Sequence, residues 1–173
     1  MENSMRIAGV IRESIVDGPG IRFVLFFQGC PHECKGCHNE STWDIDGGYL
    51  CEIERIVDEV KRNPLLNGIT YSGGEPFLQI DAMLKINEKL SDFVGEDFNY
   101  MAYTGFTYEE LREMSKDNPK IAKILEQLDY LVDGRFVEDK KDLTCMFRGS
   151  SNQRFIDLNL TEKQGRVIEV ADD

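Results

Sequence analysis

Apolar residues along this chain alternate between nearly continuous runs and the three-and-four spacing of a helix. Ile21 to Gln28, IRFVLFFQ, is a nearly continuous run, as expected of a strand covered on both faces. Ile53, Ile56, Val57 and Val60 fall at helical spacing within Glu52 to Arg62, and Gly68 to Tyr71, after Pro64, reads as a second buried strand. Ile80 to Val94 puts Met83, Ile86, Leu90 and Phe93 on one helical face and stops at Gly95, which predicts a glycine C-cap. Asn99 to Tyr103 is the third strand. Thr107, with Glu110 three residues on, is a capping-box pattern that opens another helix, and Ile121, Ile124, Leu125 and Leu128 mark a further one after Pro119. Asp129 to Val132 is the fourth strand.

Strands that recur roughly every thirty residues with helices between them are the signature of βαβ units and right-handed crossovers. The expected class is therefore α/β, with a mostly parallel sheet. A complete eight-unit barrel takes about 250 residues, and the chain has 173, so a truncated or partial (β/α) barrel fits. Without repeats, low-complexity tracts or a long linker, residues 1–173 are read as one domain. Beyond Asp133 the pattern loosens, with Arg154 to Leu158 and Arg166 to Val170 as candidate short strands.

Charge narrows the partners. Thirty-two acidic residues against twenty basic ones give a net charge of -12, which disfavours nonspecific binding to nucleic acid or an anionic membrane. No stretch approaches the ~20 apolar residues of a membrane span, and the start, MENSMRIAGV, has no signal-peptide pattern, so the expected location is the cytoplasm. An odd count of five cysteines argues against a disulfide framework, and three of the five lie within eight residues.

Ligand sites in parallel α/β architectures collect at the carboxyl ends of strands. The first strand is followed by Cys30-Pro31-His32-Glu33-Cys34-Lys35-Gly36-Cys37, the second by Ser72-Gly73-Gly74-Glu75-Pro76, the third by Thr104-Gly105, and the fourth by Asp133-Gly134-Arg135. All four would share one rim. Three thiolates can hold three irons of a cubane and leave the fourth open to an exchangeable molecule. Zinc, with His38, His32 or Cys51 as fourth ligand, is the alternative, although the second ligand pair usual in structural zinc sites is missing. His32 and His38 read as loop residues that line or support the site, and Cys51 and Cys145 as buried small residues. Glycines at 73 and 74 either make a tight turn or let the backbone approach a ligand, and Glu75 either bonds an ammonium or supports the loop. Asp133 and Arg135 either form a surface pair worth little or, at a strand end facing the cluster, a polar clamp, Arg135 suiting a carboxylate.

At these residues the sequence resembles radical S-adenosylmethionine enzymes, and more narrowly the activating proteins of anaerobic (class III) ribonucleoside-triphosphate reductases. Ser14 to Asp44 resembles the glycyl-radical activase signature over its whole length. Tyr71 to Phe77, Tyr103 to Leu111, Leu131 to Phe136 and Phe147 to Arg154 resemble the reductase activases in order and spacing. The resemblance implies a radical SAM fold and a [4Fe-4S] cluster on Cys30, Cys34 and Cys37. It also implies S-adenosylmethionine bound near Gly73, Gly74 and Glu75, with Thr104, Asp133 and Arg135 as further matches. It implies reductive cleavage of that cofactor to a 5′-deoxyadenosyl radical, and hydrogen removal from a glycine of the large reductase subunit. Gly36 stands where many such enzymes carry an aromatic residue, which leans away from pyruvate formate-lyase activases; these, and radical enzymes acting on small molecules, are the alternatives. The implied one-electron donor is a flavodoxin or similar protein. An acidic donor would need basic residues such as Arg22, Lys35, Lys61 and Arg62 to gather near the cluster.

Overall fold

In the computed structural model, which describes residues 3–37, 40–142 and 144–171, the buried runs become the middle of one seven-stranded sheet. Its strands are β1 (Ser4–Ser14), β2 (Arg22–Phe27), β3 (Tyr49–Glu52), β4 (Gly68–Gly73), β5 (Asn99–Tyr103), β6 (Tyr130–Asp133) and β7 (Arg154–Asp157), in the spatial order β3-β1-β2-β4-β5-β6-β7. The four strands expected from sequence, β2, β4, β5 and β6, run parallel to one another, while β1, β3 and β7 add antiparallel pairings at the two sides. The sheet is open, with β3 and β7 outermost, so the parallel core of a partial barrel is present without closure.

Helices α1 (Ile53–Lys61), α2 (Ile80–Ser91), α3 (Tyr108–Met114), α4 (Pro119–Gln127) and α5 (Leu158–Gln164) complete the fold. Register explains the division of the core. Phe23, Ile69 and Tyr100 lie side by side across β2, β4 and β5, as do Leu25, Tyr71 and Ala102, and this face buries α1, α2 and α4 through Ile56, Val57, Met83, Ile86 and Ile124. On the other face, Met101, Val132 and Phe155 form a smaller cluster that packs Tyr103, Tyr130, Met146 and Phe147. Each large apolar side chain so buried contributes about 1.5–3 kcal/mol, which is why uninterrupted apolar runs specify the central strands.

Several expectations change at the edges of elements. Helix α2 ends at Ser91, its C-cap is Asp92 in ordinary helical geometry, and Phe93 is exposed, so Gly95 caps nothing. The Thr107 capping box is present: its hydroxyl accepts from the Glu110 amide at 3.0 Å, and Glu110 accepts from the Thr107 amide at 2.9 Å. Of the two candidate strands after Asp133, the first is β7, and Leu158 belongs to α5. The second is reduced to a single bridge between Glu169 and Ile156. β1 and β3 were not expected. β2 pairs with Ile7–Ser14 of β1 across two register shifts, and β3 pairs only with Ser4–Ile7, so the regular alternation that would betray a strand is broken. No helix among the described residues is long and apolar enough to cross a membrane.

Candidate functional site

The loop after β2 leaves the sheet at Gly29, whose φ of 104° is open to glycine at little cost. Its base is tied down by the Gly29 amide on the Thr42 carbonyl (2.6 Å) and the Cys30 amide on the Trp43 carbonyl (3.1 Å). The Gln28 side chain donates to the Ser41 and Asp44 carbonyls at 2.9 and 2.8 Å. Further out, Glu33 and Gly36 turn the chain through left-handed conformations, φ 47° and 76°, and Cys30, Cys34 and Cys37 all remain partly exposed on this one loop.

Burial pushes the Cys30 thiol above its ordinary pKa. The Glu75 carboxylate and Cys34 act in the same direction, and the backbone amides of His32 and Glu33 oppose them. Burial also raises Cys34, together with neighbouring Cys37, against the Phe136 amide and the charge of Arg135. Among the described residues no group of three or more His, Cys, Asp or Glu side chains closes round a single ion position. Thiolates that each serve a different iron of a cubane need wider spacing than ligands of one ion. His38, weighed as a zinc ligand, lies outside the described residues.

The glycines after β4 have a local explanation. A side chain at Gly73 would sit 2.4 Å from the Phe27 backbone, and one at Gly74 would sit 2.3 Å from the Gly29 carbonyl. The end of β4 therefore runs alongside the end of β2 in direct backbone contact, held by the Gly74 amide on the Phe27 carbonyl (3.0 Å) and the Glu75 amide on the Gly29 carbonyl (2.8 Å). The close approach that needs glycine is to the chain's own β2.

Glu75 is wholly buried. One carboxylate oxygen accepts from His32 Nε2 (2.7 Å), Thr104 Oγ1 (2.8 Å) and the Gly105 amide (2.8 Å), and the other accepts from the Phe77 amide (3.0 Å). Four donors leave it little capacity for an ammonium. Of its two anticipated roles, loop support is the one for which partners are seen. His32 and Thr104 join it from the loops after β2 and β5, so three of the four expected strand-end motifs meet on one carboxylate.

Asp133 and Arg135 have different partners and do not pair with each other. Asp133, 1% exposed, accepts from Arg154 Nε at 3.0 Å and from the Tyr108 amide at the start of α3 at 2.7 Å, with a second Arg154 nitrogen on the same carboxylate. Arg154 also reaches Glu109, whose carboxyl it holds below the usual range. Arg135 is about half exposed, 3.5 Å from Glu110, and its charge acts on Cys34. Arg135, one residue further on past Gly134, lies on the cysteine side, while β7 delivers Arg154 in register with Asp133. Pairing of the two strand ends, absent from any local motif, is what would have revealed Arg154.

The basic residues that an acidic donor would need near the cysteines are dispersed. Arg22 is buried at the start of β2, the far end of that strand, Lys61 lies over the Phe93 ring, and Arg62 lines a cleft of about 440 Å³ with Arg12, Phe23 and Asn63. Only Lys35 of the four is on the cysteine loop. That cleft contains none of the residues singled out for chemistry.

Residues 16–156 match the family model described as a 4Fe-4S single cluster domain. The anaerobic ribonucleoside-triphosphate reductase-activating protein of Escherichia coli K12 is 35% identical over 146 residues, covering 80% of this chain and 90% of that one. Its counterpart in Vibrio cholerae is 34% identical over 145 residues, covering 80% and 89%. The chain belongs to this family. The bacteriophage T4 member is 29% identical over 147 residues. Membership brings the iron-sulfur domain, and Cys30 through Arg154, with every residue of the network around Glu75, lie inside the matched span. A solved structure, QueE from Escherichia coli, overlaps 60% of the chain and 54% of its own at 16% identity and a TM-score of 0.43, a likeness too slight to bear on the site.

Proposed function

We propose that this protein activates an anaerobic ribonucleoside-triphosphate reductase by generating a glycyl radical on its large subunit. In this reading residues 1–173 act as one cytoplasmic domain, and Cys30, Cys34 and Cys37 hold three irons of a [4Fe-4S] cluster. When bound, the cluster supplies one electron and an open iron at which S-adenosylmethionine is reductively cleaved to methionine and a 5′-deoxyadenosyl radical. The thiols are chemically suited to this role: they sit on one loop, partly exposed, with backbone amides directed at two of them. Gly73 and Gly74 bring main chain to the loop's base, and Glu75 with Thr104 holds that main chain in place. Arg135, half exposed beside Cys34, is the cation best placed to meet a cofactor carboxylate. Asp133 supports the same rim through Arg154. Lys35 on the cysteine loop gives a one-electron donor such as a flavodoxin a point of charge attraction.

Membership in the activating-protein family, over four-fifths of the chain, is the observation that carries this reading. The test is anaerobic: the reconstituted protein, a strong reductant, S-adenosylmethionine and the large reductase subunit together should give 5′-deoxyadenosine, methionine and a glycyl-radical EPR doublet. Cofactor cleavage without a doublet on any candidate reductase would turn the reading toward a small-molecule substrate; no cleavage under strong reduction would remove it.

A further inference from the structure

His32 stands midway between Cys30 and Cys34, yet its side chain is only 4% exposed. Its ring turns inward, with Nε2 2.7 Å from Glu75 and the ring edge-on to Phe106 at a centroid distance of 4.6 Å. An ionised carboxylate only accepts, so Nε2 carries the hydrogen. Glu75's remaining donors, Thr104 and the amides of Gly105 and Phe77, come from the loops after β4 and β5. Among the described residues His32 is thus the one donor through which the cysteine loop, beyond its base, reaches this carboxylate.

Gly105 gives an independent sign. It is absent from the described glycines with left-handed φ, so its backbone does not require glycine. A Cβ there would lie 2.3 Å from His32 Cδ2 and 2.6 Å from Nε2. Glycine at 105 is room for the imidazole.

We propose that His32 is a positioning residue that locks the Cys30–Cys34 arc to the ends of β4 and β5 through Glu75, presetting the spacing of the cysteines. This rests on the proposed function for its premise that Cys30 and Cys34 are ligands. Hydrogen-bonded supports behind ligands typically change metal affinity or activity 10–100-fold when removed, and that sets the expected effect.

The test compares wild type, His32→Phe, His32→Gln, Gly105→Ala and Cys30→Ala after anaerobic reconstitution, reading iron release to a chelator and the EPR spectrum of the reduced cluster. His32→Phe keeps the ring against Phe106 but loses the donor; it should release iron about 10–100-fold faster, with shifted or broadened EPR lines. His32→Gln, which retains an N–H, should recover most of the difference, a rescue that simple loss of packing would not show. Gly105→Ala should move both readouts in the direction of His32→Phe by displacing the ring. Wild-type iron retention and EPR in His32→Phe would overturn the proposal. If that variant does not fold, wild-type behaviour of Gly105→Ala overturns it and faster release supports it. Should Cys30→Ala keep the wild-type cluster, the ligand reading itself fails; a deficient Cys30→Ala beside a normal His32→Phe refutes His32's role alone.

Discussion

The two ends of the parallel sheet bury charges of opposite sign. At the amino end, Arg22 donates to five neutral acceptor sites: Thr70 Oγ1, the Pro19 and Ile69 carbonyls, and the side chain and carbonyl of Asn99. At the carboxyl end, Glu75 accepts from neutral donors and His32. Burial lowers the Arg22 pKa to about 10, so it still carries its charge at neutral pH. Neither charge has a direct opposite of Asp–Arg strength, and both are kept by saturating hydrogen bonds, the condition under which a buried charge is tolerable. What differs is the reach of each network. Arg22 joins neighbouring strands and the turn before β2, which is scaffold, whereas Glu75 joins three loops, one of which carries the cysteines.

The largest effect should separate the ends by chemistry. Cys30→Ala, Cys34→Ala or Cys37→Ala should each abolish cluster-dependent cleavage of S-adenosylmethionine while urea unfolding of the cluster-free protein stays near wild type; product chromatography beside the melt decides it, and equal loss at Cys51 or Cys145 would show the ligand assignment wrong. Next comes Arg22→Met, which strands buried acceptors on three elements and should lower stability by about 3 kcal/mol in denaturant unfolding. If it costs under about 1 kcal/mol, the amino-end charge is not a scaffold element.

Glu75→Gln probes the opposite end more gently. Every partner of Glu75 donates, so the amide nitrogen of glutamine must face a donor, and a cost of about 2 kcal/mol is expected in the same unfolding assay. Unlike Arg22→Met, it should also weaken iron retention; unchanged retention would make the two ends equivalent. The smallest effects belong to Cys51→Ala and Cys145→Ala, expected to retain most cleavage activity in a product assay.

What the sequence disclosed follows the same divide. Strands β2, β4, β5 and β6 were legible because burial on both faces leaves mostly apolar runs, and the motifs after them were legible because strand-end loops face one rim. β1 was hidden by its register shifts and β3 by its exposure, since Tyr49 and Leu50 face solvent. Arg22 interrupts IRFVLFF, and its partners Thr70 and Asn99 are dozens of residues away. Arg154 and the inward turn of His32 depend in the same way on contacts between distant segments, which no local spacing encodes. Asp133 and Arg135 are near neighbours in sequence, yet it is the register of β7 that supplies the partner of Asp133.

β1 continues past its short partner β3, and no described strand pairs with its outer side after Ile7. Such a border can recruit a strand from another molecule and seed aggregates. The bulges that hid β1 also twist that border, and Arg12 and Glu13 place opposite charges along it where Ile11 and Ile15 are exposed. Irregular, charged borders of this kind disfavour self-adhesion, and straightening β1 to strengthen the fold is expected to cost solubility first.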